Sequence, residues 1–171
     1  MNMVLLLVRI CLFRAKPQDL PASRNLLMHC IAGATAAFVI RNLLLGGSNN
    51  MVMMALLQSV LLGASLYLLL RIFSKPERWL QSASALYGCS AVVVALMLPV
   101  LAASGPDAIF DNTVSLIKFI VIVSSGWYFA ITVFILKETL EIRLLFGVGI
   151  AIAMEIIIAT GIAALLGGPA S

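Results

Sequence analysis

Five long apolar segments constrain this chain more than any other feature of its sequence. They cover residues 25–45, 51–73, 79–103, 113–136 and 144–166. A helix needs about 20 mostly apolar residues to cross the hydrocarbon core of a bilayer, and each segment reaches that length. Short polar connectors separate the segments, so that consecutive helices must run antiparallel. The sequence therefore predicts an all-α integral membrane protein, built as a five-span transmembrane helical bundle.

The composition indicates the same class of protein. Of the 171 residues, 63% are hydrophobic and 11% are charged, whereas a soluble domain carries about 25% charged residues. A soluble protein of this composition could not cover its surface with polar groups, so most of the surface must face the lipid bilayer. The net charge of +4 is spread along the chain as in a membrane protein, and we expect no nucleic-acid partner.

The chain is expected to form one bundle domain, residues 23–171, preceded by a short segment, residues 1–22. The first 13 residues are too short to span a bilayer, and no signal-peptide cleavage site follows them. We interpret them as an amphipathic interfacial helix, followed by a proline-rich entry turn; the alternative is a frayed apolar tail. Basic side chains would anchor such a helix to the anionic lipid of the cytoplasmic leaflet. These interfacial anchors are Arg9, Arg14 and Lys16.

The distribution of Lys and Arg predicts the orientation. Nine of the eleven basic residues precede the first span or flank the second and fourth connectors. Cytoplasmic loops collect Lys and Arg, so we expect a cytoplasmic N-terminus and a C-terminus on the opposite side. The location that we expect is a bacterial inner membrane, with the C-terminus in the periplasm. The two exceptions are Arg41 and Lys118, which lie toward the outer ends of the first and fourth spans.

Small residues at four-residue spacing mark the first and fifth spans. Residues four apart share a helix face, and small side chains allow helices to approach closely in lipid. The spacing therefore predicts helix-packing faces. Their members are Gly147, Ala151, Ala159 and Ala163 in the fifth span, and Gly33 and Ala37 in the first.

Glu155 occupies the gap in the row of the fifth span, about 18 Å from either end by helical rise. A carboxylate at the bilayer centre costs roughly 2.5–3.5 kcal/mol, so it should be protonated or should meet a cation. The available cations are Lys118 and Arg41. We therefore predict an intramembrane polar network of Glu155, Lys118 and Arg41, with Ser124 or Ser125 as a further member.

The sequence has no nucleophile motif, phosphate-binding loop or paired carboxylates at catalytic spacing, so we expect no enzyme activity and no cofactor. The three cysteines have no metal-like spacing and His29 is single, so we expect no metal site. Two hypotheses for the function remain. The favoured one is a non-enzymatic scaffold or accessory subunit that packs against a membrane-protein partner or forms a homo-oligomer. The alternative is a small transporter or proton- or ion-conducting component, although a proton relay usually has several acids or histidines in series.

The entry turn and the order of the spans resemble the Yip family, the Rab-interacting five-span membrane proteins and their bacterial relatives. The resemblance rests on the stretch FRAKPQDLP at residues 13–21, on Trp127 in the fourth span, and on the basic turn at 137–143 before the last apolar helix. The long N-terminal region of the family is nearly missing here, so its vesicle-trafficking role is not carried over. The resemblance implies a scaffold that works through partners, and it implies no site residues.

Overall fold

The computed structural model describes residues 3–44, 50–104 and 116–166, and helices account for most of them. The helices are α1 (Met3–Cys11), α2 (Arg24–Leu44), α3 (Met51–Ile72), α4 (Trp79–Ser104), α5 (Leu116–Leu140) and α6 (Leu144–Leu166). Two short 3-10 turns, Pro17–Asp19 and Pro76–Arg78, lie ahead of α2 and α4. These three stretches of chain contain no β-strand, which confirms the all-α prediction.

Helices α2 to α6 are long and apolar enough to cross a membrane. This confirms the five-span bundle, and the protein is a multi-pass membrane protein. The fourth span ends later than the sequence predicted, because α5 continues past residue 136 to Leu140. Lys137 and Glu138 are therefore part of the last helical turn, where they form an ion pair of 3.1 Å. The first and third connectors and the start of the predicted fourth span lie largely outside the described residues.

Helix α4 lies at the centre of the bundle. Nine consecutive residues, 82–90, are buried, and a helix buried on every side must be surrounded by neighbours. Those neighbours are α1, α2, α3 and α5. Helix α6 completes the bundle by packing against α3 and α5.

Helix α1 packs onto this bundle. Its buried side chains are Leu6, Leu7, Ile10 and Cys11. Leu7 lies over Gly88, where an added Cβ would come 2.6 Å from the Leu7 Cδ2 atom. Since α4 begins at Trp79, the contact of Leu7 with Gly88 lies about 14 Å along α4 from its first residue, by helical rise. The predicted short helix therefore forms. One side of it is covered by residues of the same chain, while Val4 and Leu5 on the other side stay exposed.

The entry turn is fixed to the neighbouring ends of α4 and α5. Pro17 and Leu20 are buried, with Leu20 1% exposed. The Gln18 amide donates to the Glu138 carbonyl at 2.7 Å. The Gln81 amide of α4 donates to the Leu20 carbonyl at 2.8 Å and to the Gln18 carbonyl at 3.1 Å. The stretch of residues 16–20 thus packs into the bundle by its apolar side chains and hydrogen-bonds to it through its backbone.

The predicted anchor residues divide into two groups. Arg9 and Arg14 are exposed, and their contact with anionic lipid stays a prediction. Lys16 instead forms an ion pair with Glu138, with 3.1 Å between Nζ and Oε2. Trp127 of α5 donates from its indole nitrogen to the Cys11 carbonyl at 3.0 Å, which satisfies one of the carbonyls left open at the end of α1.

Glu141 joins the connector before α4 to the connector after α5. Its carboxylate accepts hydrogen bonds from Lys75 Nζ and Arg78 Nη2, each at 2.5 Å. These two cations lower the pKa of Glu141 from 4.5 to about 2. The folded-state pKa lies below the unfolded value. The ion pairs of Glu141 with Lys75 and Arg78 therefore stabilise the fold above about pH 4.5, and this stabilisation is lost as the pH falls through about 2.

We therefore expect the thermal midpoint in detergent to fall more steeply between these pH values in the wild-type protein than in the Glu141→Gln variant. The difference should be small, because exposed ion pairs contribute little. Parallel pH profiles of the two proteins would show that the ion pairs of Glu141 do not contribute to stability.

Candidate functional site: a polar cavity between the spans

All five membrane-spanning helices contribute side chains to one cavity of about 460 Å³. This volume falls in the range of about 300–1,000 Å³ that is typical of small-molecule sites. The polar lining residues are Arg41 of α2, Gln58 of α3, Ser90 of α4, Ser124, Ser125 and Tyr128 of α5, and Glu155 of α6. The rest of the wall is apolar and comes mainly from α4 and α5.

Arg41 is held at the wall of the cavity by neutral groups. Its Nη2 atom donates to Asn42 Oδ1 and to Gln58 Oε1, each at 3.3 Å. Its Cζ atom lies 5.3 Å from the centroid of the Phe38 ring, a geometry in which the ring face attracts the cation. The Nε atom is buried and has no hydrogen-bond partner among the described residues. The guanidinium is thus positioned but incompletely paired.

Glu155 is half-buried, and its carboxyl group makes no hydrogen bond or ion pair with any described residue. In particular, no contact of 4.0 Å or less joins it to Arg41. The Tyr128 side chain lines the same cavity. Arg41 and Glu155 therefore share the cavity without forming an ion pair.

The predicted polar network is brought together only in part. Glu155 and Arg41 line the same cavity, together with Ser124 and Ser125. Lys118 is half-buried and does not belong to the described lining of the cavity. It lies three residues before the lining residue Val121, on the same side of α5. Sequence reasoning missed Gln58 and Tyr128. An amide within an apolar span is a signal that could have identified Gln58.

The packing row of α6 lies against other helices of this chain only at its beginning. Gly147 and Ala151 are buried, and an added Cβ at Gly147 would lie 3.5 Å from the Val133 carbonyl. Ala159 and Ala163 are exposed. The reason is that residues four apart advance about 40° around a helix, so the row turns away from α5. Gly161 instead meets Leu61 of α3, 3.0 Å from an added Cβ.

The packing row of α2 is likewise covered only in part by other helices of the chain. Ala37 is buried, but Gly33 is exposed and an added Cβ there would meet only the Ala91 Cβ, at 3.9 Å. The buried face of α2 follows three- and four-residue steps, as expected for 3.6 residues per turn. Its members are Leu27, Cys30, Ala34, Ala37 and Phe38.

The fold and the cavity define a class of protein: a five-span helical membrane protein with a cavity between its spans that is lined in part by polar and charged side chains. Comparison with protein-family models, with curated proteins and with solved structures gives no match. The resemblance to the Yip family therefore stays a prediction. Within the described part of the chain, no group of three or more His, Cys, Asp or Glu side chains could hold a metal ion.

Proposed function

We propose that this protein binds a small polar solute in the cavity at the centre of its bundle and mediates the passage of that solute, or of a proton, across the bacterial inner membrane. The observation that supports this proposal is the convergence of polar side chains from all five spans on one cavity. Polar groups inside a membrane are costly, and ionisable ones usually mark substrate or ion pathways.

The unpaired state of the two charged residues supports a ligand-binding function over a purely structural one. A buried ion pair that only fixed helix register would bring its carboxylate and its cation into contact, because an unpaired buried charge is strongly destabilising. Arg41 and Glu155 both line the cavity and have no ion pair with each other. A polar solute or water between them would supply the missing partners.

The charge distribution supports the orientation within the inner membrane. One end of the bundle carries the ion-paired residues Lys16, Lys75, Arg78 and Lys137, as expected for the cytoplasmic side. Arg41 lies at the opposite end of α2, one turn before Leu44. With this orientation, the cavity extends from the middle of the membrane toward the periplasmic side.

Access of water to the cavity tests this proposal. We expect a Ser124→Cys variant, whose position lines the cavity and is only 8% exposed, to react with a water-soluble, membrane-impermeant thiosulfonate added from the periplasmic side, because a thiolate forms in water and not in lipid. The variant is made in a chain whose three native cysteines, all buried, are replaced by alanine. The measurement is the labelled fraction by mass spectrometry.

The matched control is Ile122→Cys, on the same helix with a side chain that is 69% exposed on the outside of the bundle. The lipid-facing thiol should react at least about tenfold more slowly. Equal rates at the two positions would contradict a polar cavity that is open to water.

A second candidate is the scaffold or accessory subunit, working through a membrane-protein partner or as a homo-oligomer. The observation in its favour is the row of small residues that α6 leaves exposed, including Ala159 and Ala163, since small residues favour helix contacts in lipid. A protected Ser124→Cys thiol, together with a stoichiometric partner retained in mild detergent, would favour this candidate.

A further inference from the structure

The two charges of the cavity define the chemistry of the molecule that could occupy it. We propose that the cavity binds a small zwitterion, with its anionic group on the Arg41 guanidinium and its ammonium group beside the Glu155 carboxylate. This inference rests on the proposed function, which by itself requires only that some polar solute enters.

The Arg41 side of the cavity suits an anion. A guanidinium prefers to bind carboxylate or phosphate through two parallel N–H groups. Its present partners are neutral amide oxygens at 3.3 Å, longer than the usual range of about 2.7–3.2 Å. The buried Nε–H has no partner at all within the described chain. An anionic ligand would supply the acceptor that this donor lacks.

The Glu155 side suits an ammonium group, because the three serine hydroxyls that line the cavity already donate their protons to backbone carbonyls. Ser124 donates to the Ile120 carbonyl at 2.7 Å, and Ser125 donates to the Val121 carbonyl at 2.8 Å. Ser90 donates to the Tyr87 carbonyl at 2.8 Å. Each serine oxygen therefore offers only lone pairs to the cavity. An ammonium group carries three donors and no acceptor, so it matches these serine oxygens and the Glu155 carboxylate.

Charge balance favours a zwitterion over a singly charged ligand. An anion on Arg41 alone would leave the Glu155 carboxylate without a partner, and a cation on Glu155 alone would leave Arg41 without one. Unpaired charges are costly in a low-dielectric interior. A zwitterion pairs both groups at once, and the apolar wall formed by residues such as Val93 and Met97 can contact its uncharged part.

A zwitterion of this kind has two sources: a free molecule of amino-acid type, or the head group of a zwitterionic lipid such as phosphatidylethanolamine. The free source is tested with three related probes: alanine, propionate, which lacks the ammonium group of alanine, and ethylamine, which lacks its carboxylate. We expect millimolar alanine to raise the thermal midpoint of the purified protein by about 3 °C or more, and the other two probes to leave it unchanged. The lipid source predicts the same rise in nanodiscs of phosphatidylethanolamine relative to phosphatidylglycerol.

The Glu155→Gln variant provides the decisive comparison. It removes the carboxylate but keeps the shape, so stabilisation by the zwitterion should disappear, whereas propionate should now bind because Arg41 is left as the single charge. Glu141→Gln makes the same chemical change outside the cavity, and it should leave the response to every probe as in the wild-type protein.

Three results would overturn the inference. They are stabilisation of the wild-type protein by propionate as well as by alanine, an undiminished response to the zwitterion in Glu155→Gln, and no response to alanine or to phosphatidylethanolamine. Labelling of Ser124→Cys together with any of these results would leave the proposed function intact and reject only the zwitterion. A protected Ser124→Cys thiol would reject the water-accessible cavity itself.

Discussion

Replacing Ile10 with aspartate is expected to release α1 from the bundle and to lower the free energy of unfolding by about 3–5 kcal/mol. The Ile10 side chain is 0% exposed and lies in the core with residues of α4 and α5. An ionised carboxylate at this position would have no partner, and burying it would cost more than the contacts of α1 can offset. The helix should therefore leave its site instead of burying the charge.

Two measurements check this result. Unfolding in mixed detergent micelles gives the loss of stability, and the reactivity of Cys89 with a thiol reagent reports whether α1 has left. Cys89 is 0% exposed and its thiol faces the Leu7 carbonyl at 3.9 Å, so it is covered while α1 is docked. The experiment uses a chain in which Cys11 and Cys30 are replaced by alanine, so that only Cys89 can react.

Arg9→Asp is the matched control, since it places the same residue at the adjacent, exposed position of α1. It should leave Cys89 protected and stability nearly unchanged. Equal losses in the two variants, or an unreactive Cys89 in Ile10→Asp, would show that the packing of α1 contributes little to the fold.

The docking of α1 illustrates what the sequence could and could not predict. Its short apolar run with Arg9 near the end predicts a helix that is too short to span the bilayer, and that pattern is local. What covers the face depends on α4, about 80 residues away in the chain, where Gly88 makes room for Leu7. A pattern within α1 cannot indicate such a partner. From the sequence alone, α1 is therefore predicted only to lie at the membrane surface.

The five spans were predictable because length and hydropathy are properties of each segment alone. The rotation of each helix about its axis is not. Counting by fours put Ala159 and Ala163 on the packing face of α6, although 3.6 residues per turn carries them about 40° further at each step. The same rotation decides that Gln58 and Tyr128 face the cavity. Glu155 and Arg41 were identifiable because ionisable residues are rare within spans.

The Gly63→Ala variant is expected to lose about 1–3 kcal/mol of stability, as overpacked cores do. An added Cβ at Gly63 would lie 2.7 Å from Tyr87 Oη and 3.6 Å from Trp79 Cη2. The phenol cannot easily move aside, because Tyr87 is 3% exposed and its hydroxyl donates to the Ser59 carbonyl. The clash therefore either breaks that hydrogen bond or separates α3 from α4.

A double-mutant cycle measured by unfolding in mixed micelles tests this explanation. Tyr87→Phe removes the atom that the added Cβ meets, so Gly63→Ala should cost much less in the Tyr87→Phe background than in the wild-type protein. Gly33→Ala is the control: its Cβ would make only an ordinary contact with Ala91 at 3.9 Å. This control should be neutral or stabilising by about 0.5–1 kcal/mol, the usual gain of alanine over glycine within a helix. Equal costs of Gly63→Ala in the two backgrounds would mean that the Tyr87 hydroxyl does not fix the distance between α3 and α4.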